Sequence, residues 1–114
     1  STLFPYTTLF RSRDQNLRYV DSHRKKLKKE WTSFADYKQR YEVPQTLIDA
    51  ILKEGDKQKI KPKDDAELQK TLPYLRLQLK ALIARDIWDM SEYFSVYNEE
   101  NEMVKRALQV IEKQ

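Results

Sequence analysis

The chain has no cysteine, so a disulfide framework and a thiolate metal site are both excluded. It has a single glycine and four prolines in 114 residues, which leaves few points where turn chemistry can interrupt a helix. One histidine is too few for a histidine-based zinc site. No apolar run approaches the roughly 20 residues needed to span a bilayer, and no membrane-spanning helix is expected. What remains is rich in Leu, Lys, Glu, Gln, Ala and Arg, the residues that favour helix. The length supports one domain at most.

Charge is unevenly spread. Up to Lys63 there are 15 Lys and Arg against 8 Asp and Glu, giving +7; from Asp64 onward 7 stand against 10, giving −3. A basic first half and an acidic second half can attract each other, or pair two copies of the chain.

The first twelve residues, STLFPYTTLFRS, do not begin with Met and have neither the basic start nor the continuous apolar stretch of a signal peptide. They resemble translated sequencing-adapter read-through. Residues 1–12 are therefore set aside as an artefactual or disordered leader, and residues 13–114 are expected to form a single helical domain at the tail end of a longer gene product.

Periodicity then fixes the elements. Leu17, Val20, Leu27 and Trp31 form a thin apolar stripe over Asn16 to Trp31. Ser33 opens a capping pattern with Asp36, which predicts a short helix from Phe34 to Tyr41. Val43-Pro44 ends it, and Pro44 suits the first turn of a helix over Gln45 to Glu54. Gly55 is the expected left-handed cap. After a charged connector, Asp64 and Glu67 open the longest element.

In that element Leu68, Leu72, Leu75, Leu79 and Leu82 make one stripe, and Leu79, Ile83, Ile87, Met90 and Phe94 a second. Two stripes on adjacent faces predict burial over more than half the circumference. The fold class is all-α: a small bundle of four to five helices around one long central helix, about 66–95. Pro73 either kinks that helix or marks where its first turn meets the rod. The buried spine is expected to comprise Leu75, Leu79, Leu82, Ile83, Ile87, Trp88 and Met90. Asn98 reads as the N-cap of a last helix, with Met103, Val104, Ala107, Leu108 and Ile111 as its stripe.

Chemistry is sparse. Ser91 with Lys80, or Ser33 with Lys38, supplies the residue types of a nucleophile and its base. On one helix, however, Ser91 and Lys80 stand about 16 Å apart by helix rise. Asp86, Asp89 and Glu92 form a carboxylate row that could face a hard cation, but Arg85 can pair with Asp89 and stack on Trp88, which favours a salt-bridged face. His23 stands alone and reads as a surface histidine. The run His23 to Lys29 (HRKKLKK) reads as a solvated helix face, with a polyanion surface as the other reading. Tyr37, Tyr41, Tyr74, Tyr93 and Tyr97 read as core and rim packing, with an interface as the alternative. No catalytic, cofactor-binding or metal-binding residue is assigned.

The segment LQLKALIARDIWDMSEYF, the following NEENEMVKRALQVI, and upstream YVDSHRKKLKKEW and SFADYKQRYEVPQTLIDAIL carry one resemblance. Together, over roughly Leu17 to Ile111, they look like the C-terminal region of bacterial C-terminal processing (tail-specific) peptidases. That resemblance implies a parent serine endopeptidase of the cell envelope or periplasm, with a Ser/Lys dyad and usually a PDZ domain that captures substrate tails. It implies that this chain is not itself the enzyme. Its partners would be the protease core of the same parent, a second subunit, and protein or peptide substrates reached through the parent. Nucleic acid is the less favoured partner. A free-standing basic module that binds a polyanion through His23–Lys29 is the competing expectation.

Overall fold

The structure, a computed structural model, describes residues 13–112. The expected leader lies outside the described residues, as do the side chains of Leu17, Val20 and Ile111. Among the described residues there are five helices and no strand: α1 (Arg13–Glu30), α2 (Phe34–Arg40), α3 (Gln45–Lys57), α4 (Asp65–Ile87) and α5 (Met90–Glu112). The all-α bundle expected from periodicity is the observed fold. Among the described residues no helix is long and apolar enough to cross a membrane.

Local chemistry sets most of the boundaries. The Ser33 hydroxyl accepts from the Asp36 amide at 3.3 Å and starts α2. Pro44 has extended backbone angles and precedes the first residue of α3, where no amide is needed. The Asp64 carboxylate accepts from the Glu67 amide at 2.8 Å, while Glu67 reaches back to the Lys63 amide at 3.2 Å. Two orphan donors at the start of α4 are thus satisfied, in a variant of the capping box.

Three local expectations change. Gly55 does not end α3; it lies buried inside that helix, without a positive φ. The left-handed residue is Lys59, at φ 61°. Its amide bonds to the Asp56 carbonyl at 3.1 Å, and the Ile60 amide to the Gly55 carbonyl at 2.7 Å, the paired bonds of a Schellman motif. Ile60 is half-buried against the core, and this anchor places the stop one turn later than the glycine suggested. Lysine at this position bears the steric cost that glycine avoids. Lys59→Gly is expected to raise stability by about 0.5–1 kcal/mol, read as a higher denaturant midpoint at unchanged slope.

The rod expected over 66–95 ends at Ile87. Trp88 leaves helical geometry (φ −115°, ψ −101°), and the Asp89 carbonyl accepts from the Glu92 and Tyr93 amides to start α5. The chain folds back there, so that Gln78 meets Tyr93 and Lys80 meets Glu100. Asn98 consequently lies inside α5 and caps nothing. The helix passes through Pro73 without interruption.

The core sits around α4. From Leu75 to Ala84 nearly every side chain is buried, including Leu75, Leu79, Leu82 and Ile83. A helix buried on all sides must be central. Leu27 of α1, Tyr37 of α2, Leu47, Ile48 and Ile51 of α3, and Tyr93 and Val96 of α5 enclose it. Met90 and Phe94, expected on the inner stripe, are exposed because the turn at Trp88 resets the face that looks inward.

Candidate functional site

Two linked clusters hold α2 against the central helix. The first is aromatic. Tyr37 is fully buried and stacks on Tyr41 with ring centres 4.6 Å apart. Trp88 packs edge-on against Tyr37 at 5.1 Å and against Phe34 at 5.3 Å. Trp31 meets the edges of Tyr37 and Tyr41 at 6.0 and 5.9 Å. These edge-to-face and offset geometries are the favoured ones for aromatic pairs. The Tyr41 hydroxyl lies 3.1 Å from that of Tyr19, and Tyr19 stacks on His23 at 4.4 Å.

The second cluster is ionic. The Lys80 ammonium, buried on α4, donates to the Lys38 carbonyl near the end of α2 at 2.5 Å and pairs with Glu100 of α5 at 3.0 Å. The Tyr37 hydroxyl donates to the Lys80 carbonyl at 2.7 Å. One turn earlier on α4, Arg76 donates to the Val43 carbonyl at 3.0 Å and to the Gln45 side chain. Lys80 thus satisfies a carbonyl in the last turn of α2 that its own helix leaves unpaired, and Arg76 one in the segment that follows it. Lys38 in turn pairs with Glu99 and donates to Ser95 at 3.4 Å.

Burial pushes the Tyr37 hydroxyl well above its ordinary pKa, with Tyr41 and Tyr19 adding to the effect. Burial and the hydrogen bond with Tyr19 raise Tyr41 as well. Each stays protonated in the fold after the unfolded chain has ionised near pH 10. Their stabilisation is complete below that value and is lost as pH rises through it. Stability is expected to fall above pH 10 by about 1.4 kcal/mol per tyrosine for each pH unit. Denaturant midpoints across this range should show the fall, and Tyr37→Phe with Tyr41→Phe should flatten it.

Lys80 is committed to Lys38 and Glu100, and Ser91 bonds to Glu92, so the two do not meet. Ser33 is spent on the Asp36 amide, whereas Lys38 reaches across to Glu99 and Ser95. The carboxylate row is divided by the break at Trp88: Asp86 stays on α4 with Arg85 at 3.3 Å, Asp89 bonds the Met90 amide at 2.7 Å, and Glu92 starts α5. Arg85 thus pairs with Asp86 rather than Asp89, and Trp88 packs on Phe34 and Tyr37. Among the described residues no group of three His, Cys, Asp or Glu could hold a metal ion. The tyrosines fall into separate groups, Tyr37 with Tyr41 in the core and Tyr93 with Tyr97 on α5, while Tyr74 is half-buried.

Two surfaces remain. Arg24, Lys25, Lys26, Lys28 and Lys29 of α1 are all exposed, and His23 is half-buried beside a cavity of about 520 Å3 between α1 and α3. On α5, Met90, Phe94, Met103 and Val110 are 44%, 51%, 69% and 58% exposed.

The model of a family of unknown function (DUF8443) matches residues 8–89. The chain belongs to that family. The matched span takes in α1 to α4, the basic half and the central helix, and stops as α5 begins. No curated protein and no solved structure matches the chain. Sequence reasoning missed Arg76 and the inward role of Lys80. A signal was present, because Lys80 interrupts the apolar run LQLKALIA at a position where a charge must find partners or leave the core.

Proposed function

We propose that this chain is a noncatalytic helical accessory domain of a C-terminal processing serine peptidase, and that its work is docking: on the protease body or on a second subunit. The observation that carries the docking role is the set of four large apolar side chains left outside on α5. Single exposed apolar residues are ordinary, but Met90 with Phe94, and Met103 with Val110, form two apolar pairs at helical spacing, one on each side of the buried stripe of α5. The serine and lysine candidates, held in structural bonds, leave the chemistry to the parent. The peptidase identity of that parent rests on the resemblance of the α4–α5 sequence.

The intact gene tests this reading. A hydrolase with a Ser/Lys dyad, encoded in frame ahead of Arg13, supports it; a locus without one overturns the peptidase assignment. Docking is tested in the full-length protein. Met103→Asp with Val110→Asp should release the domain from the body, seen as new protease sensitivity between them, and unchanged sensitivity would remove the Met103 and Val110 side of α5 as the docking face.

A second reading is supported by the five exposed cations of α1. A polyanion-binding module would bind duplex or single-stranded DNA with affinity that falls steeply between low and moderate salt. Neutralising Lys25, Lys26, Lys28 and Lys29 together should then abolish binding.

A further inference from the structure

A second cavity, of about 460 Å3, opens between the 41–43 segment, α4 and α5. We propose that it is a binding site for a monoanionic carboxylate that carries a small apolar group. The volume falls in the range of small-molecule sites. Its wall is apolar, formed by Val43, Pro73, Leu77 and Val104 with the Tyr41 ring, and Arg76 and Lys80 line the same space.

Charge supports an anion. Lys80 is only 8% exposed, and Arg76 and Glu100 are half-buried. Two carboxylates line the same space: Glu100, paired with Lys80 at 3.0 Å, and the exposed Glu42. Arg76, by contrast, is bonded to the neutral Val43 carbonyl and Gln45 side chain, so an added carboxylate would be its charge partner.

Donor capacity points the same way. A lysine ammonium has three N–H donors. Two of those on Lys80 go to the Lys38 carbonyl and Glu100. Arg76 has five donors, and its bonds to the Val43 carbonyl and Gln45 use only part of them. The pair stands one helical turn apart on α4, so one carboxylate can bridge them. Their bonds to carbonyls and to Glu100 already hold both cations in place, and ligand binding does not have to order two long side chains. The apolar wall then selects among carboxylates. Acetate would leave the half-buried Pro73 and Val104 uncovered, while a branched chain of four or five carbons would cover them.

Such a carboxylate could be a free branched-chain acid or the end of a polypeptide with an apolar last residue. The full chain can be titrated with 4-methylpentanoate and with acetyl-Ala-Ala-Leu, each against its own amide, with chemical shifts of Leu77 and Val104 as the readout. Both carboxylates are expected to bind saturably, and their amides at least tenfold more weakly. Tighter binding of the peptide marks a chain terminus as the ligand; tighter binding of the acid marks a small metabolite. Arg76→Gln should weaken the carboxylates tenfold or more and leave the amides unchanged. Val104→Phe fills the cavity from α5 without touching either cation. It should abolish binding while preserving the fold, and so decides the matter even if Arg76→Gln does not fold. Equal binding of acid and amide overturns the proposal. So does the absence of saturable shifts at Leu77 and Val104, or carboxylate binding that survives Val104→Phe.

Discussion

Tyr37→Ala is expected to destabilise the protein by about 3–5 kcal/mol. Tyr37 is fully buried and touches Trp31, Phe34, Tyr41 and Trp88. Alanine removes the shared member of four ring contacts and leaves a cavity the size of a phenol ring. The surroundings cannot close over it readily, because Trp88 is fixed at the α4–α5 turn and Tyr41 by its hydroxyl contact with Tyr19. Tyr37→Phe separates packing from hydrogen bonding. It keeps the rings and deletes only the donor to the Lys80 carbonyl, so a loss of about 0.5–1.5 kcal/mol is expected. Denaturant titration of the two variants measures both terms. Equal losses would mean that the hydroxyl, rather than the ring cluster, holds α2 in place. Trp88→Ala should fall below Tyr37→Ala, because Trp88 is only partly buried.

That comparison shows how much of the fold was legible in the sequence. The apolar stripes located α4 as the centre, and Leu75, Leu79, Leu82 and Ile83 are fully buried there. The caps at Ser33 and Asp64 were readable because each is a contact over three residues. The stop at Ile87 is hidden in the periodicity because Met90 and Phe94 continue the period by coincidence. The competing signal was Asp89-Met90-Ser91-Glu92, whose Asp and Glu stand at capping-box spacing at the start of α5. Periodicity reports which residues could share a face if the helix continues; it carries no information on whether the helix does continue. The late stop of α3, beyond Gly55, has a related cause. Glycine lowers the cost of a left-handed residue, but the position of the stop is set by what Ile60 can reach, and that is a tertiary matter.

The candidate site was less legible for the same physical reason. The bonds from Lys80 to Lys38 and from Tyr37 to Lys80 span 42 and 43 residues. No local pattern encodes a contact at that separation. The sequence could state that a lysine inside LQLKALIA needs partners, without naming the Lys38 carbonyl or Glu100 as those partners. It treated Ser33, Lys38, Lys80 and Ser91 as possible reactants because residue type was the only information available. Their geometry assigns them to capping and pairing.

Lys80→Met is expected to cost about 3 kcal/mol, and the reason lies in what it leaves behind. Methionine fills much of the volume of the lysine stem, so little packing is lost. The Glu100 carboxylate, however, loses its cation while half-buried, and the Lys38 carbonyl loses its donor. Breaking a buried pair from one side typically costs about 3–5 kcal/mol, and the partial exposure of Glu100 places this case at the lower end. The double variant Lys80→Met with Glu100→Leu removes the stranded charge and should recover at least half of the loss. If the double variant is instead no more stable than Lys80→Met alone, the cost lies at the Lys38 carbonyl. The ammonium would then act chiefly as a cap on the end of α2. In that event Glu100 is dispensable to the fold, and its place beside Lys80 and Arg76 is better explained by the charge balance of the cavity they share.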